Sequence, residues 1–203
     1  MRRPSTRERG FVENLVRRAG REDSQGRAAM AALRRGVGKP PGTVAEVHQY
    51  VAPWLPSVDD PFSPWEQSNQ DAYYLVATLF ALHQRDHWRE GQDSRRRNLG
   101  WSFRRLTTAD DSGSIEKRFT ALLNSHRDDL PAHLRGAVSL LDAHEIPINW
   151  AQLLPDIQRW DWEDRNVQRT WAQAFWGGGG GDDPAEDVTG VEDDAPVASA
   201  IEQ

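Results

Sequence analysis

The 203-residue chain contains no cysteine, so a disulfide framework and a thiolate site are both excluded. That absence fits a reducing compartment, and a cytoplasmic location is the expectation. Tyrosine occurs only three times and runs of β-branched residues are few, which removes the usual foothold for strands and favours an all-α fold. No stretch approaches the roughly 20 apolar residues that cross a bilayer. Charges run through the first thirty residues, so neither a signal peptide nor a membrane anchor is expected. Basic residues are absent from positions 177–203, which hold eight acids.

That last absence changes the reading of the net charge. The whole chain carries −6, from 25 Lys and Arg against 31 Asp and Glu. Without residues 177–203 it has 25 basic and 23 acidic residues, a body of about +2. The bases are also clustered: residues 1–40 hold eleven against four acids, and residues 85–105 hold seven against three. Local potential rather than the sum attracts phosphate, so a nucleic-acid partner stays open.

The stretch from Asn98 to Arg135 combines apolar residues at helical spacing with arginines at the rim. Ile115, Phe119, Leu122 and Leu123 form one buried stripe flanked by Lys117 and Arg118, with Gly113 and Ser114 as the break and N-cap. Pro131 suits the first turn of a following helix, in which Leu134, Ala137, Val138 and Leu141 face inward and Arg135 does not. Upstream, residues 1–10 are basic and expected to be mobile, and Phe11, Val12, Leu15 and Val16 mark a first helix ending at Gly20. A second runs from Ser24 to Arg35, with Arg34 and Arg35 suited to the C-terminal end of its dipole. Val44, Val47, His48 and Val51 predict a short helix halted by Pro53. Ser63-Pro64-Trp65-Glu66 has the form of a capping box with proline at the first position, opening a long central helix to about His87. Arg85 to Asn98, interrupted by Gly91, is expected to be a loop carrying Arg95, Arg96 and Arg97. Asn149 caps a helix with Trp150, Leu153, Leu154, Ile157 and Trp160, and a last helix holds Val167, Trp171 and Phe175.

The predicted organisation is an all-α helical bundle of two small subdomains sharing an interface. Residues 1–20 form a basic extension with the first helix. Residues 21–176 form the helical domain, divided into a group up to about residue 90 and another from about 98. Residues 177–203, five glycines and an acidic segment, cannot bury enough apolar area to offset the entropy of ordering and are expected to be disordered.

Catalytic chemistry finds no constellation. His83 and His87 could share a helix face, but no Glu follows in the zinc-protease arrangement and two ligands do not make a site; they read as histidines near a helix end. Asp156, Asp161, Glu163 and Asp164 lie at a helix junction where capping and solvation account for them. No phosphate-binding glycine loop, G-x-S-x-G or dinucleotide fingerprint occurs. No metal and no cofactor are expected. Of the nine tryptophans, Trp150, Trp160 and Trp171 fall on apolar stripes; only Trp88 and Trp101, bracketed by arginines, could stack on unpaired bases.

The order of Asn98-Leu99-Gly100, Phe103-Arg104-Arg105-Leu106, Glu116-Lys117-Arg118-Phe119 with Leu122-Leu123, Leu134-Arg135, Leu140-Leu141 and Asn149-Trp150 with Leu153-Leu154 and Trp160 resembles the CasB family. These are the small subunits of the type I-E CRISPR surveillance complex, Cascade, an antiviral defence assembly. The resemblance covers roughly residues 24–176, and Trp101 stands where a basic residue can follow the Leu-Gly pair. It implies a non-catalytic helical subunit, present as two copies beside large and backbone subunits, that contacts guide RNA and target DNA and helps hold the displaced single strand. Carried over by position, the basic residues are Arg34, Arg35, Lys117, Arg118, Arg127 and Arg135, with Arg104 and Arg105 and the loop residue Arg97 as further candidates. The ridge from Arg34 to Arg135 is expected to converge in the assembled complex. The alternative is a protein-binding adaptor whose arginines are a solvated face and whose acidic tail is the interaction element.

The absence of a catalytic set has a direct test. Purified chain incubated with nucleic acid or nucleotide and magnesium, manganese or zinc should show no turnover. Turnover lost on Asp161→Ala would overturn the reading.

Overall fold

A computed structural model of the chain describes residues 2–57, 59–60, 63–83, 98–107 and 112–177. Nine α-helices lie among them: α1 Thr6–Ala19, α2 Ser24–Arg35, α3 Ala45–Val51, α4 Pro64–Phe80, α5 Leu99–Leu106, α6 Ser112–Leu123, α7 Leu130–Ala143, α8 Trp150–Gln158 and α9 Asn166–Trp176. A 3₁₀ turn, Ala52–Trp54, extends α3. The all-α prediction holds, with no strand among the described residues.

Helix α4 packs against α2, α3, α7 and α8, which accounts for the apolar girth of its sequence. Helices α5 and α9 pair closely, α1 lies on α2 and α8, and α6 joins α5 to α7. Buried side chains from all these helices form one continuous cluster, in which Phe11, Phe80, Phe119, Trp150, Trp160 and Trp171 are among the largest. The three tryptophans expected in the core are there, at 1%, 2% and 0% exposure.

Several helix ends differ from expectation. Helix α1 begins at Thr6, not near Phe11, because Ser5 and Glu8 form a full capping box. Ser5 Oγ accepts from the Glu8 amide at 3.2 Å and Glu8 returns a carboxylate oxygen to the Ser5 amide at 2.5 Å. Buried Glu8 also meets Arg2 at 3.4 Å, and the Arg2 carbonyl accepts from Gln152 on α8 at 3.3 Å, so the segment before α1 is packed. Ser63, in contrast, makes no side-chain cap on α4, and the return bond is missing too, since Glu66 accepts from the Asp60 amide at 3.1 Å and the Ser63 amide donates to the Asp60 carbonyl at 3.0 Å. Helix α4 closes at Phe80, seven residues short of His87, and α6 starts at Ser112, taking Gly113 and Ser114 into its first turn. The N-cap at Asn149 and the span of α2 are as the sequence predicts. Residues 84–97 and 178–203, and with them the loop and tail expectations, lie outside the described residues.

Two contacts lock the C-terminal helices. A β-carbon at Gly100 would collide with the Trp171 carbonyl, so glycine there is what lets α5 and α9 approach. The Trp171 indole Nε1 donates to Asp156 Oδ2 at 2.8 Å, and Gln152 Nε2 donates to Asp156 Oδ1 at 2.8 Å, tying α9 to α8. Asp156 is not solvated, as the sequence suggested, but 1% exposed. Burial pushes its carboxyl up from 3.8 to about 7, and the bonds from Trp171 and Gln152 only partly oppose this.

A carboxyl whose folded pKa exceeds its unfolded one stabilises fully below the unfolded value and loses that contribution as pH rises through the folded one. Unfolding free energy should therefore decline between about pH 4 and pH 7 by a few kcal/mol through this group. In Asp156→Asn, urea titrations over that range should show a visibly flatter dependence. An unchanged slope would remove Asp156 as the cause.

Candidate nucleic-acid interface

The predicted cations divide by what holds them. Arg34 and Arg35 close α2, and Gly36 follows as its C-cap, so the backbone delivers both side chains to the turn before α3. Arg34 is exposed but its Nε donates to the Ala81 carbonyl at the end of α4, at 3.0 Å. Arg35 lies 3.8 Å from Glu46, with both side chains more than half exposed, a pair that holds little energy in water. Gly38 in the same turn has φ +72°, and a β-carbon there would overlap the Arg135 guanidinium. The left-handed backbone is what favours glycine here, since the arginine tip lying over it is a flexible end that can move aside. Arg135 comes from α7, far along the chain, and so joins Arg34 and Arg35 around one turn. Exposed Lys39, which sequence reasoning passed over, sits at the same place.

Lys117 and Arg118 are exposed on α6, with no side-chain partner among the described residues. They lie on the other side of α7 from Arg135. At 100° per residue Gly136 points nearly opposite the core line of Leu134, on the flank away from Arg135. Gly136 and Arg118 share a cavity of about 360 Å³ between α5, α6 and α7, floored by Phe103 and Leu122. In the isolated chain the expected ridge is thus two groups with α7 between them.

Arg104 and Arg105 are exposed on α5. The Arg105 guanidinium lies 5.2 Å from the centre of the Trp101 ring, so the face considered for base stacking already carries a cation. Trp88 and Arg97 lie outside the described residues.

Arg127 is different from the rest. It is only one-fifth exposed and donates to the Ile157 carbonyl at 2.9 Å and the Ser68 carbonyl at 3.0 Å, while its Nε lies 3.6 Å from Asp161. Burial lowers its pKa, and Asp161 and Asp71 pull it back up. This guanidinium clamps α4 and α8 to the turn before α7, which gives two of its five N–H donors to carbonyls. Its partners are distant in sequence, so no local signal marks the role.

Of the candidate histidines and acids, His83, Asp156, Asp161 and Asp164 have other partners. His83 is buried with Nε2 bonded to the Ile146 carbonyl at 2.8 Å, and His87 lies outside the described residues. Among the described residues no three metal-ligating side chains come together. Asp161 faces Arg127 and Asp164 accepts from the Asn166 amide at 3.0 Å, so both have structural work.

Comparison with known proteins decides the family. The sequence model of CRISPR-associated protein Cse2 matches residues 29–176. The chain belongs to the Cse2 family. A Cse2 protein from Thermus thermophilus is 38% identical over 154 residues, 75% of this chain and 80% of that one. The crystal structure of CasB from M. ruber is 33% identical, with a TM-score of 0.66 over 84% of this chain and 93% of that one. A chain from a structure of a CRISPR RNA-guided surveillance complex is 29% identical, with a TM-score of 0.67 over 83% and 91%. Helix α1, Thr6–Ala19, precedes the stretch that the Cse2 model matches, yet it supplies Phe11 and Leu15 to the core.

The contrast among the cations gives a stability test. Arg127→Ala leaves two carbonyls and Asp161 without their donor and should cost about 2–4 kcal/mol in urea unfolding. Lys117→Ala and Arg118→Ala, at exposed sites, should each stay within about 0.5 kcal/mol. Equal effects at all three positions would refute the clamp.

Proposed function

We propose that this Cse2-family chain is a non-catalytic subunit of a type I-E Cascade complex that holds guide RNA and opened target DNA by phosphate contacts. The observation that carries the reading is the exposure of Arg34, Arg35 and Arg135 around one turn and of Lys117 and Arg118 on α6. Arg104 and Arg105 on α5 extend this surface. The surveillance-complex relative supports membership of such an assembly. Arginines with no accompanying Asn or Gln array suit contacts that position a strand without reading its sequence. R-loop formation is nearly balanced in free energy, so a subunit that adds phosphate contacts to the separated strands tips it without touching a base edge.

The adaptor reading has one observation of its own. Trp65 and Trp162 are 48% and 44% exposed with ring centres 6.1 Å apart, and exposed indoles in a pair mark a protein contact more often than a solvated surface. It is compatible with the first reading, because a Cascade subunit needs protein contacts as well, with large and backbone subunits and with its second copy.

The experiment is target-DNA binding by reconstituted Cascade carrying Arg34→Ala, Arg35→Ala, Lys117→Ala and Arg118→Ala together, with circular dichroism as the folding control. Each neutralised phosphate contributes roughly 0.7–0.9 to the slope of log K against log salt, so the four substitutions should lower that slope by up to about 3. Single substitutions should have small effects, since the remaining field compensates. Wild-type affinity and slope in a correctly assembled mutant complex would sink the assignment of these residues.

A further inference from the structure

We propose that the acidic segment 182–203 occupies, in cis, the groove between α5, α6 and α7. The groove has an apolar floor of Phe103, Leu122 and Leu140 and a rim carrying Arg118 and His133. At its open side Gly136 has nothing within 4 Å of where a β-carbon would stand, so a backbone can lie directly over α7. An apolar floor beside the Arg118 guanidinium calls for a ligand with the opposite pattern.

The segment has that pattern. Val188 and Val191 are bracketed by Glu186 and Asp187 on one side and by Glu192, Asp193 and Asp194 on the other. Two small apolar side chains can sit on the floor while carboxylates meet Arg118 and, beside it, Lys117. No Lys or Arg within residues 177–203 opposes this.

The point of departure fits as well. Trp176 ends α9 against α6: its Nε1 donates to Glu116 Oε1 at 3.1 Å and its ring lies 5.5 Å from Phe119. Glu116 and Arg118 are two positions apart, about 200° around α6. Measured from the contact of the Trp176 indole, the way to Arg118 is half-way round one helix, roughly 16–19 Å for a diameter of about 10–12 Å. Val188 follows Trp176 by twelve residues, five of them glycine. For a Gly-rich composition the end-to-end distance at that length is about 17–21 Å. Covering Lys117 and Arg118 would place the segment in competition with nucleic acid; that consequence, but not the docking, rests on the function proposed above.

The absence of native cysteine makes the test clean. Full-length, isotope-labelled chain with Thr189→Cys carrying a nitroxide should show broadened amide resonances at Arg118, Ala132 and Gly136. The broadening should persist on dilution with unlabelled chain and should be largely lost in 1 M salt and in Arg118→Glu. Absence of broadening would overturn the proposal. So would broadening indifferent to salt and to Arg118→Glu, or broadening equally strong when nitroxide and isotope sit on different chains, which would make a second copy the occupant. In a second full-length variant, Glu186, Asp187, Glu192, Asp193 and Asp194 become their amides. It should lose the broadening and bind single-stranded DNA several-fold more tightly. Docking with no change in DNA affinity would support the groove assignment and count against the phosphate role of Arg118 instead.

Discussion

The approach of α9 to α5 and α8 is the constraint on which the C-terminal half depends. Trp171 is held from two sides: its carbonyl lies against a glycine that can have no side chain, and its indole donates into a buried carboxyl. Neither contact tolerates a shift of a full ångström, because the first is a steric limit and the second a hydrogen bond in a low-dielectric interior. The placement follows outward from there. Asn98 caps α5 and also donates to the Thr170 carbonyl at 3.4 Å; Phe103 then packs 5.0 Å from Phe119, which fixes α6. The surface cations on α5 and α6 are thus aimed by residues in the core.

How a guanidinium is used depends on what stands around it. Arg127 has carbonyls from two helices within hydrogen-bond reach and becomes part of the frame. Arg34 has one such carbonyl and keeps the rest of its fork in water. Arg118 extends from a helix face with only solvent and the groove beside it. The same side-chain type therefore yields a clamp, a braced cation and a free one, with progressively more donors left for a phosphate.

The helical class, the tryptophan core and the two-sided character of α6 and α7 were legible in the sequence because each is written in local periodicity. Caps were legible only in part. Ser5-x-x-Glu8 and Ser63-x-x-Glu66 are the same motif, yet the first closes reciprocally and the second does not, because a competing amide at Asp60 takes the Glu66 carboxylate. The roles of Arg127 and Asp156 were not legible. An arginine between a histidine and two aspartates reads as solvated, and an aspartate near other acids reads likewise; the partners that bury them arrive from other helices. The division of the cations by α7 was hidden for the same reason, since spacing along a helix gives a flank but not the neighbour it faces. Gly100, by contrast, stood in the quoted motif, and its reason is now the Trp171 carbonyl.

The hydrogen bond that holds Arg34 has an entropic side. A free arginine or lysine gives up as much as about 2 kcal/mol of rotamer freedom when a ligand orders it. Arg34, held at Nε by the Ala81 carbonyl, has surrendered part of that freedom on folding. Arg34 is accordingly a partly preordered cation at the turn after α2, whose affinity for an anion is spent less on immobilisation. The cations of α6 remain mobile, more adaptable in the positions they can reach, and weaker per contact. One polyanion lying across both would meet a stiff end and a compliant end.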